Sequence, residues 1–155
     1  MHHSISAGRY QAKFSRSACA WLMIDGVGIE QWVAQHLDYQ DAAMLALSLI
    51  WLINEDEEAL AKRRFAIGEN NTSTLIPLLV CSDDMDFDCT VLMVEQVVAD
   101  GVVTWSRFGL SVSDGLEVGV QTRWMEDCKP ASFLASEFQQ ALEDFEGILA
   151  NWTES

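Results

Sequence analysis

The order of apolar and polar positions predicts one strand and two helices at the start of the chain. Residues 17–24 form an apolar run that ends at Asp25-Gly26, and this pattern is typical of a short strand. The next apolar positions have the spacing of a buried helical stripe: Ile29, Trp32, Val33, His36 and Leu37. Asp41 is suited to cap a second helix that runs through Leu49, although residues 49–53 also fit a strand.

The pattern changes from helical to strand-like after a third, acidic helix. Residues 55–64 predict that helix, and residues 68–73 predict a loop. Four strand-like runs then follow, over residues 74–81, 89–99, 102–112 and 116–125. Asp-Gly pairs at 100–101 and 114–115 separate the last three runs, and Asp-Gly is the preferred sequence of a two-residue type I′ hairpin turn.

Two such hairpins would fix the register of the sheet. Position 98 would face 103, 94 would face 107, 105 would face 124, and 107 would face 122. This register predicts Trp105 and Trp124 as a cross-strand pair and directs Arg107 toward the core. An inward arginine needs an ion pair, or it anchors a ligand in a cleft near Glu95 and the tryptophans. A bulge in either hairpin would reverse part of the assignment.

A long amphipathic helix is predicted after Pro130. Its apolar stripe consists of Leu134, Phe138, Ala141, Leu142, Phe145, Leu149 and Trp152. The predicted fold is therefore α+β: N-terminal helices, an antiparallel β-meander of about four to five strands, and a C-terminal helix packed on the sheet. We expect one domain over residues 17–155, preceded by a flexible extension over residues 1–16.

Composition and charge narrow the classes of function. The chain has 155 residues, 50% of them hydrophobic, and 24 acidic against 9 basic side chains give a net charge of -15. That charge argues against nucleic-acid binding, because a phosphate backbone would be repelled. The sequence has no apolar run of about 20 residues, so we expect neither a membrane span nor a membrane partner. The four cysteines have no zinc-like spacing and are expected to be reduced thiols in the cytoplasm.

An acidic segment is the main candidate for a binding site, and three interpretations of it stay open. It contains Asp83, Asp84, Met85, Asp86, Phe87 and Asp88, and Glu95 follows at the spacing of an EF-hand calcium loop. The glycine that such a loop needs at its sixth position is replaced by Cys89. The other interpretations are a solvated loop and a recognition patch for a basic partner, to which Glu55 and Asp56 would add charge.

The sequence offers little support for catalysis. It contains no G-x-S-x-G element, phosphate-binding loop or dinucleotide fingerprint, and Ser111 lies within a predicted strand. His36 is the only histidine outside the first residues, and its place on an apolar stripe favours a packed, hydrogen-bonded role. We therefore predict a protein that is not an enzyme and needs no cofactor or metal.

Several segments together resemble a known class of proteins. They include residues 76–81, residues 86–91 and above all the W-x-R-F-G strand at 105–109, which follows an Asp-Gly turn. The chain is similar in these features to small bacterial immunity proteins encoded beside polymorphic toxins of contact-dependent or type VI secretion systems.

The resemblance implies a non-enzymatic inhibitor that binds a cognate toxin domain in the cytoplasm. Such a toxin would present a basic active-site cleft, and the acidic segments 83–88 and 55–56 are the expected contact regions. Met85 and Phe87 have the composition of apolar anchors inside an acidic rim. The sequence leaves the oligomeric state open.

Overall fold

A computed structural model describes residues 2–12, 18–49, 55–67, 71–81, 90–113, 115–126 and 128–153. The helices are α1 Ile29–Leu37, α2 Glu55–Phe65 and α3 Ala135–Thr153, with 3-10 turns at Gln40–Met44 and Gly115–Glu117. The strands are β1 Ile5–Tyr10, β2 Cys19–Ile24, β3 Val27–Gly28, β4 Leu45–Leu47, β5 Thr72–Cys81, β6 Val91–Ala99, β7 Val102–Ser111, β8 Thr122–Trp124 and β9 Ala131–Leu134.

The strands form two antiparallel sheets. The small sheet has the order β1-β2-β3, and the large sheet has the order β4-β5-β6-β7-β8 with β9 also paired to β7. Helix α3 packs against β1 and β2 and also contacts β7 and β9. The predicted α+β class and the packed C-terminal helix are confirmed, and the large sheet has six strands where four or five were expected.

Each face of the large sheet has its own apolar cluster. The inner face contributes Trp105, Phe108 and Phe133 to the main core, which also includes Phe138 and Phe145 of α3. The outer face packs part of its area beneath α2 in a smaller cluster, which consists of Ala46, Leu60, Ala61, Val80, Val91, Met93 and Val118.

The first predicted hairpin is confirmed at Asp100-Gly101. Ala99 pairs with Val102 across a two-residue turn, and the φ angles of Asp100 and Gly101 are 52° and 76°. Two consecutive positive φ angles define the type I′ turn, which only Gly and small polar residues adopt at low cost. Val98 faces Val103, as the register arithmetic predicts.

A β-bulge overturns the predicted register five residues further along. Glu95 pairs with Arg107 but Gln96 pairs with Trp105, so Ser106 is the extra residue of β7. Beyond the bulge, position 94 faces Phe108 instead of 107. The predicted inward orientation of Arg107 is therefore wrong. The bulge keeps both Trp105 and Phe108 in the core, and it turns Arg107 to the exposed outer face.

The second predicted hairpin and the strand over 116–125 are mostly wrong. Gly115–Glu117 is a 3-10 turn, and only Thr122–Trp124 pairs with β7. Trp124 faces Gly109, not Trp105, so the predicted tryptophan pair is also wrong. The physical reason is burial: Val118 is fully buried in the outer cluster, and this requires the chain to turn inward before β8.

The prediction of a helix from Asp41 through Leu49 is wrong, because the chain forms only a 3-10 turn over Gln40–Met44 and then a short strand. Leu45–Leu47 pairs with β5, so Ala46 packs on the outer cluster while Leu47 packs in the main core. A short strand that is buried on both faces is apolar at every position. This explains why the residues of β4 are all apolar and do not form a single helical stripe. Residues 50–53, which fit a strand in sequence, lie outside the described residues.

The flexible extension predicted for residues 1–16 is wrong for its described first part. Ile5–Tyr10 pairs with β2 along its whole length, and Ile5 is buried. The Ile5 amide also donates to a carboxylate oxygen of Glu137 on α3 at 2.7 Å. Ile5 is the one buried residue of β1, and the others are half-buried or exposed, so this edge strand has a weak apolar pattern that composition does not reveal.

Candidate interaction surface

The acidic excess lies on the exposed surface. Among the residues that the structure describes, eleven acidic side chains are exposed, against five basic ones. The exposed acids are Asp25, Asp38, Asp41, Glu55, Asp56, Asp100, Glu117, Glu126, Glu143, Asp144 and Glu146. The exposed bases are Arg9, Arg63, Arg107, Arg123 and Lys129. This surface will attract cationic proteins over about one Debye length.

The first turn of α2 presents two of the predicted contact residues. Glu55 and Asp56 are exposed, whereas Glu57 is buried and Glu58 forms an ion pair with Lys62 at 3.0 Å. Four acids at a helix N-terminus also stabilise the helix dipole, so their charge has a structural role as well.

The position of α2 on the sheet directs this turn toward one end of the strands. Arg64, near the last residue of α2, donates to the carbonyl oxygen of Leu75 at 3.2 Å, while Leu60 belongs to the cluster around Val80 and Val91. The N-terminal turn therefore points toward the end of the sheet where β5 ends and β6 begins.

The predicted contact residues Asp83, Asp84, Met85, Asp86, Phe87 and Asp88 lie outside the described residues. The strand ends that border this segment are described: the Cys81 amide donates to the carbonyl oxygen of Thr90 at 2.9 Å. Cys81 and Thr90, which border residues 82–89, therefore lie at the end of the sheet toward which Glu55 and Asp56 point. A contact surface that combines the two acidic segments stays a prediction.

Glu95, the twelfth position of the calcium hypothesis, has partners of its own. Its carboxylate accepts from the Ser106 hydroxyl at 2.7 Å and from the Arg107 guanidinium at 3.2 Å. The hydrogen bond from Ser106, together with Arg107, lowers the pKa of Glu95 against the opposing effect of burial. The described residues contain no group of three His, Cys, Asp or Glu side chains that could hold a metal ion.

Arg107 does not line a cleft with the tryptophans of the core. Its guanidinium carbon lies 3.9 Å from the centre of the Trp124 ring and its side chain is 47% exposed. The cation–π contact and the ion pair to Glu95 together account for its charge. Two surface grooves of ≈ 360 and ≈ 320 Å³ occur elsewhere, between α2 and α3 and beside the start of β6, and Arg107 lines neither.

The W-x-R-F-G strand has a structural explanation at every position. Trp105 and Phe108 fill the core, Ser106 is the bulge residue, and Arg107 stacks on Trp124. Gly109 lies beneath β8, where an added Cβ would come within 2.5 Å of the Arg123 carbonyl oxygen. A side chain at Gly109 would therefore push β8 away from the sheet.

His36 is packed and hydrogen-bonded in the described structure. Its ring stacks on Trp32 with centroids 4.5 Å apart, and Nε2 donates to the carbonyl oxygen of Lys129 at 2.6 Å. The carbonyl can only accept, so this contact fixes the proton on Nε2.

Sequence reasoning missed a buried carboxylate at the start of α1. Glu30 is 0% exposed, and it accepts from Trp21 Nε1 at 2.9 Å and from the Tyr10 hydroxyl at 2.8 Å. Burial, followed by the hydrogen bond and charge of Glu30, raises the pKa of the Tyr10 phenol. The only available sequence signal was an acid next to Ile29 in the first helical turn, and that position is ordinary for an exposed residue.

The same carboxylate predicts an inert thiol at Cys19. Burial and the charge of Glu30 raise the pKa of Cys19 to about 11 from 9.0, which lowers its thiolate fraction at pH 8 by about 100-fold. We expect Cys19 to react with a disulfide reagent at least that much more slowly in the folded chain than in urea, measured by absorbance. A Cys19→Ser variant should keep the number of fast-reacting thiols, and loss of a fast thiol would contradict this prediction.

The raised pKa of Cys19 also predicts how the free energy of unfolding changes with pH. The folded-state pKa exceeds the unfolded value, so the folded chain holds the proton more tightly above pH 9. The contribution of Cys19 to the free energy of unfolding is therefore complete below pH 9 and is lost as the pH rises toward 11.

Comparisons with protein-family models, with curated proteins and with solved structures gave no match. Among the described residues, no helix combines the length and the apolar character needed to span a membrane.

Proposed function

We propose that this chain is an immunity-type binding protein, which neutralises a cognate toxin domain in the cytoplasm and has no enzymatic activity of its own. The observation that carries the proposal is the exposed acidic excess, eleven acids against five bases among the described residues. The resemblance of the W-x-R-F-G strand and its neighbouring segments supports the same class.

The physical argument is electrostatic steering. Toxin domains that act on nucleic acids or nucleotides need a basic cleft for their own substrates, and an acidic protein is attracted to that cleft before contact. Glu55 and Asp56 are exposed at the end of the sheet where β5 ends and β6 begins, and the proposal assigns them to the rim of the contact surface. Rim charges act mainly on the association rate.

The test is co-expression with the product of the neighbouring upstream gene, followed by kinetics on the purified pair. We expect a complex whose association rate falls about tenfold or more between low and high salt. Failure of the two proteins to form a complex, or an association rate that does not change with salt, would contradict the proposal.

A charge-reversal pair tests the location of the rim. Glu55→Lys with Asp56→Lys should reduce the association rate about tenfold, because both charges change sign at the contact. The matched control is Asp41→Lys with Glu126→Lys, which alters the net charge equally at two other exposed acids. Equal effects from both pairs would show that only net charge matters, and that α2 is not part of the rim.

A further inference from the structure

The connection from β7 to β8 exposes an unusual group of apolar side chains. Val112, Leu116 and Val120 are 60%, 54% and 70% exposed, and they are three of the five large apolar residues that the described structure leaves exposed. All three lie within residues 112–121, which we call the apolar loop and of which the structure describes 112–113 and 115–121. Single exposed apolar residues are common on protein surfaces, but three within nine positions of one connection need an explanation.

Hydrogen bonds connect the described residues of the apolar loop to one another and to the end of β7. The Val112 amide donates to the Gln121 carbonyl oxygen at 2.7 Å and closes the loop at its base. Serine hydroxyls bridge its interior: Ser111 Oγ accepts from the Gly119 amide at 3.0 Å, and Ser113 Oγ donates to the Glu117 carbonyl oxygen at 2.6 Å. Each bond that exists before binding lowers the ordering cost that binding would have to meet.

Buried contacts fix the underside of the loop to the rest of the fold. Val118 is fully buried, and its carbonyl oxygen accepts from the Arg64 guanidinium of α2 at 3.1 Å. Gly119 has a φ of 81°, and an added Cβ there would lie 2.4 Å from the end of the Met93 side chain. The buried Val118 thus holds the loop against the rest of the fold, whereas the side chains of Leu116 and Val120 on either side of it point to solvent.

We infer that the apolar loop is the anchor that inserts into the cognate toxin domain, in an apolar pocket bordered by basic residues. This inference rests on the proposed function and adds the contact that would hold the complex. Steering charges speed association, whereas rigid apolar groups that become buried slow dissociation. A hydrogen-bonded loop with outward apolar side chains has the features of such an anchor.

Charge favours a cationic protein over a second copy as the occupant. Glu117 is exposed between Leu116 and Val118, and the sequence places Asp114 two residues before Leu116. Two copies would each carry a net charge of -15 and would repel each other at this contact. The same repulsion opposes insertion into an anionic membrane surface.

The experiment measures binding of the co-expressed upstream gene product to chains with a changed loop. Leu116→Asp and Val120→Asp place a carboxylate where the partner's apolar pocket would close, and we expect each to weaken the affinity by about 30-fold or more, mainly through faster dissociation. Met44→Asp is the matched control, because Met44 is 48% exposed outside the loop. Circular dichroism and thermal unfolding should show all three variants folded, since none removes Val118, Gly119 or Arg64.

Each result decides the inference. Affinity that falls for both loop variants but not for Met44→Asp supports it. A wild-type complex that the loop variants leave unchanged overturns this inference alone, whereas no wild-type complex overturns the proposed function as well. Sedimentation that shows a wild-type homodimer broken by Val120→Asp, or vesicle binding lost in that variant, also overturns it, because the loop then has another occupant.

Discussion

Replacing Trp105 with alanine should lower the free energy of unfolding by about 3–5 kcal/mol. Trp105 is fully buried, and its ring lies 4.8 Å from that of Phe133 and within edge-to-face distance of Trp32, Phe108 and Phe138. Truncation would leave a cavity that rigid aromatic neighbours cannot fill. Small domains are stable by only about 5–15 kcal/mol, so we expect this loss to leave a measurable fraction of the variant chains unfolded at 37 °C.

The matched control for this prediction is Trp124→Ala. Trp124 is half-buried and packs mainly under Arg107, so we expect a loss of only about 1 kcal/mol in urea unfolding. A Trp105→Phe variant should be intermediate, because the Gln96 side-chain oxygen loses its 3.0 Å bond from Trp105 Nε1. Equal losses for the two tryptophans, or strong coupling between them, would instead support the register in which they face each other.

The contrast between the two hairpins shows what the sequence pattern can predict. At Asp100-Gly101 the turn residues and the flanking strands agree, so local chemistry is sufficient for the register of Val98 and Val103. The Ser106 bulge has no local signal, because its cause is tertiary: Trp105 and Phe108 must both point inward. At residues 114–115 the same Asp-Gly pair is overridden by burial of Val118 against α2 and Met93.

The candidate surface also has features that the local sequence predicts and features that depend on tertiary packing. Net charge and the exposed acids of α2 could be inferred from composition and helical spacing alone. The apolar loop could not, because Val112, Val118 and Val120 are all valines and only the fold decides which one is buried. Arg107 shows the reverse case, in which a displacement of one residue turned a predicted ligand anchor into a surface contact.

The residues of the W-x-R-F-G strand have structural roles, and other segments carry the residues that would contact a partner. Each of its residues is explained by the core, by the bulge or by the close approach of β8 to Gly109, so the motif specifies a scaffold. The residues that would choose a partner lie instead on segments that the scaffold holds out, at Leu116 and Val120 and at Glu55 and Asp56. If the proposed function holds, substitution on these segments would change the partner while the fold is kept.

Replacing Glu30 with alanine should lower the free energy of unfolding by about 2–5 kcal/mol, although the change removes a charge from the interior. The reason is that two donors would lose their acceptor, the buried Trp21 Nε1 at about 1–3 kcal/mol and the half-buried Tyr10 hydroxyl at about 1 kcal/mol. Gly28 packs closely against both groups in the wild type, since an added Cβ there would lie 2.4 Å from the Tyr10 ring and 2.7 Å from Glu30 Oε1. Urea unfolding of the variant gives the measurement.

A double-mutant cycle separates the hydrogen bonds from the packing. Tyr10→Phe alone removes one donor, and we expect it to cost about 1 kcal/mol in the wild type but little in the Glu30→Ala background, since its acceptor is already gone. Glu143→Ala is the control on α3, where an exposed carboxylate accepts from Gln139 at 3.2 Å, and it should cost less than about 0.5 kcal/mol. Additive effects of Tyr10→Phe and Glu30→Ala would contradict a shared hydrogen bond. Non-additive effects would identify Glu30 as the polar contact that joins β1 and β2 to the first turn of α1, and hence the N-terminal strand to the core.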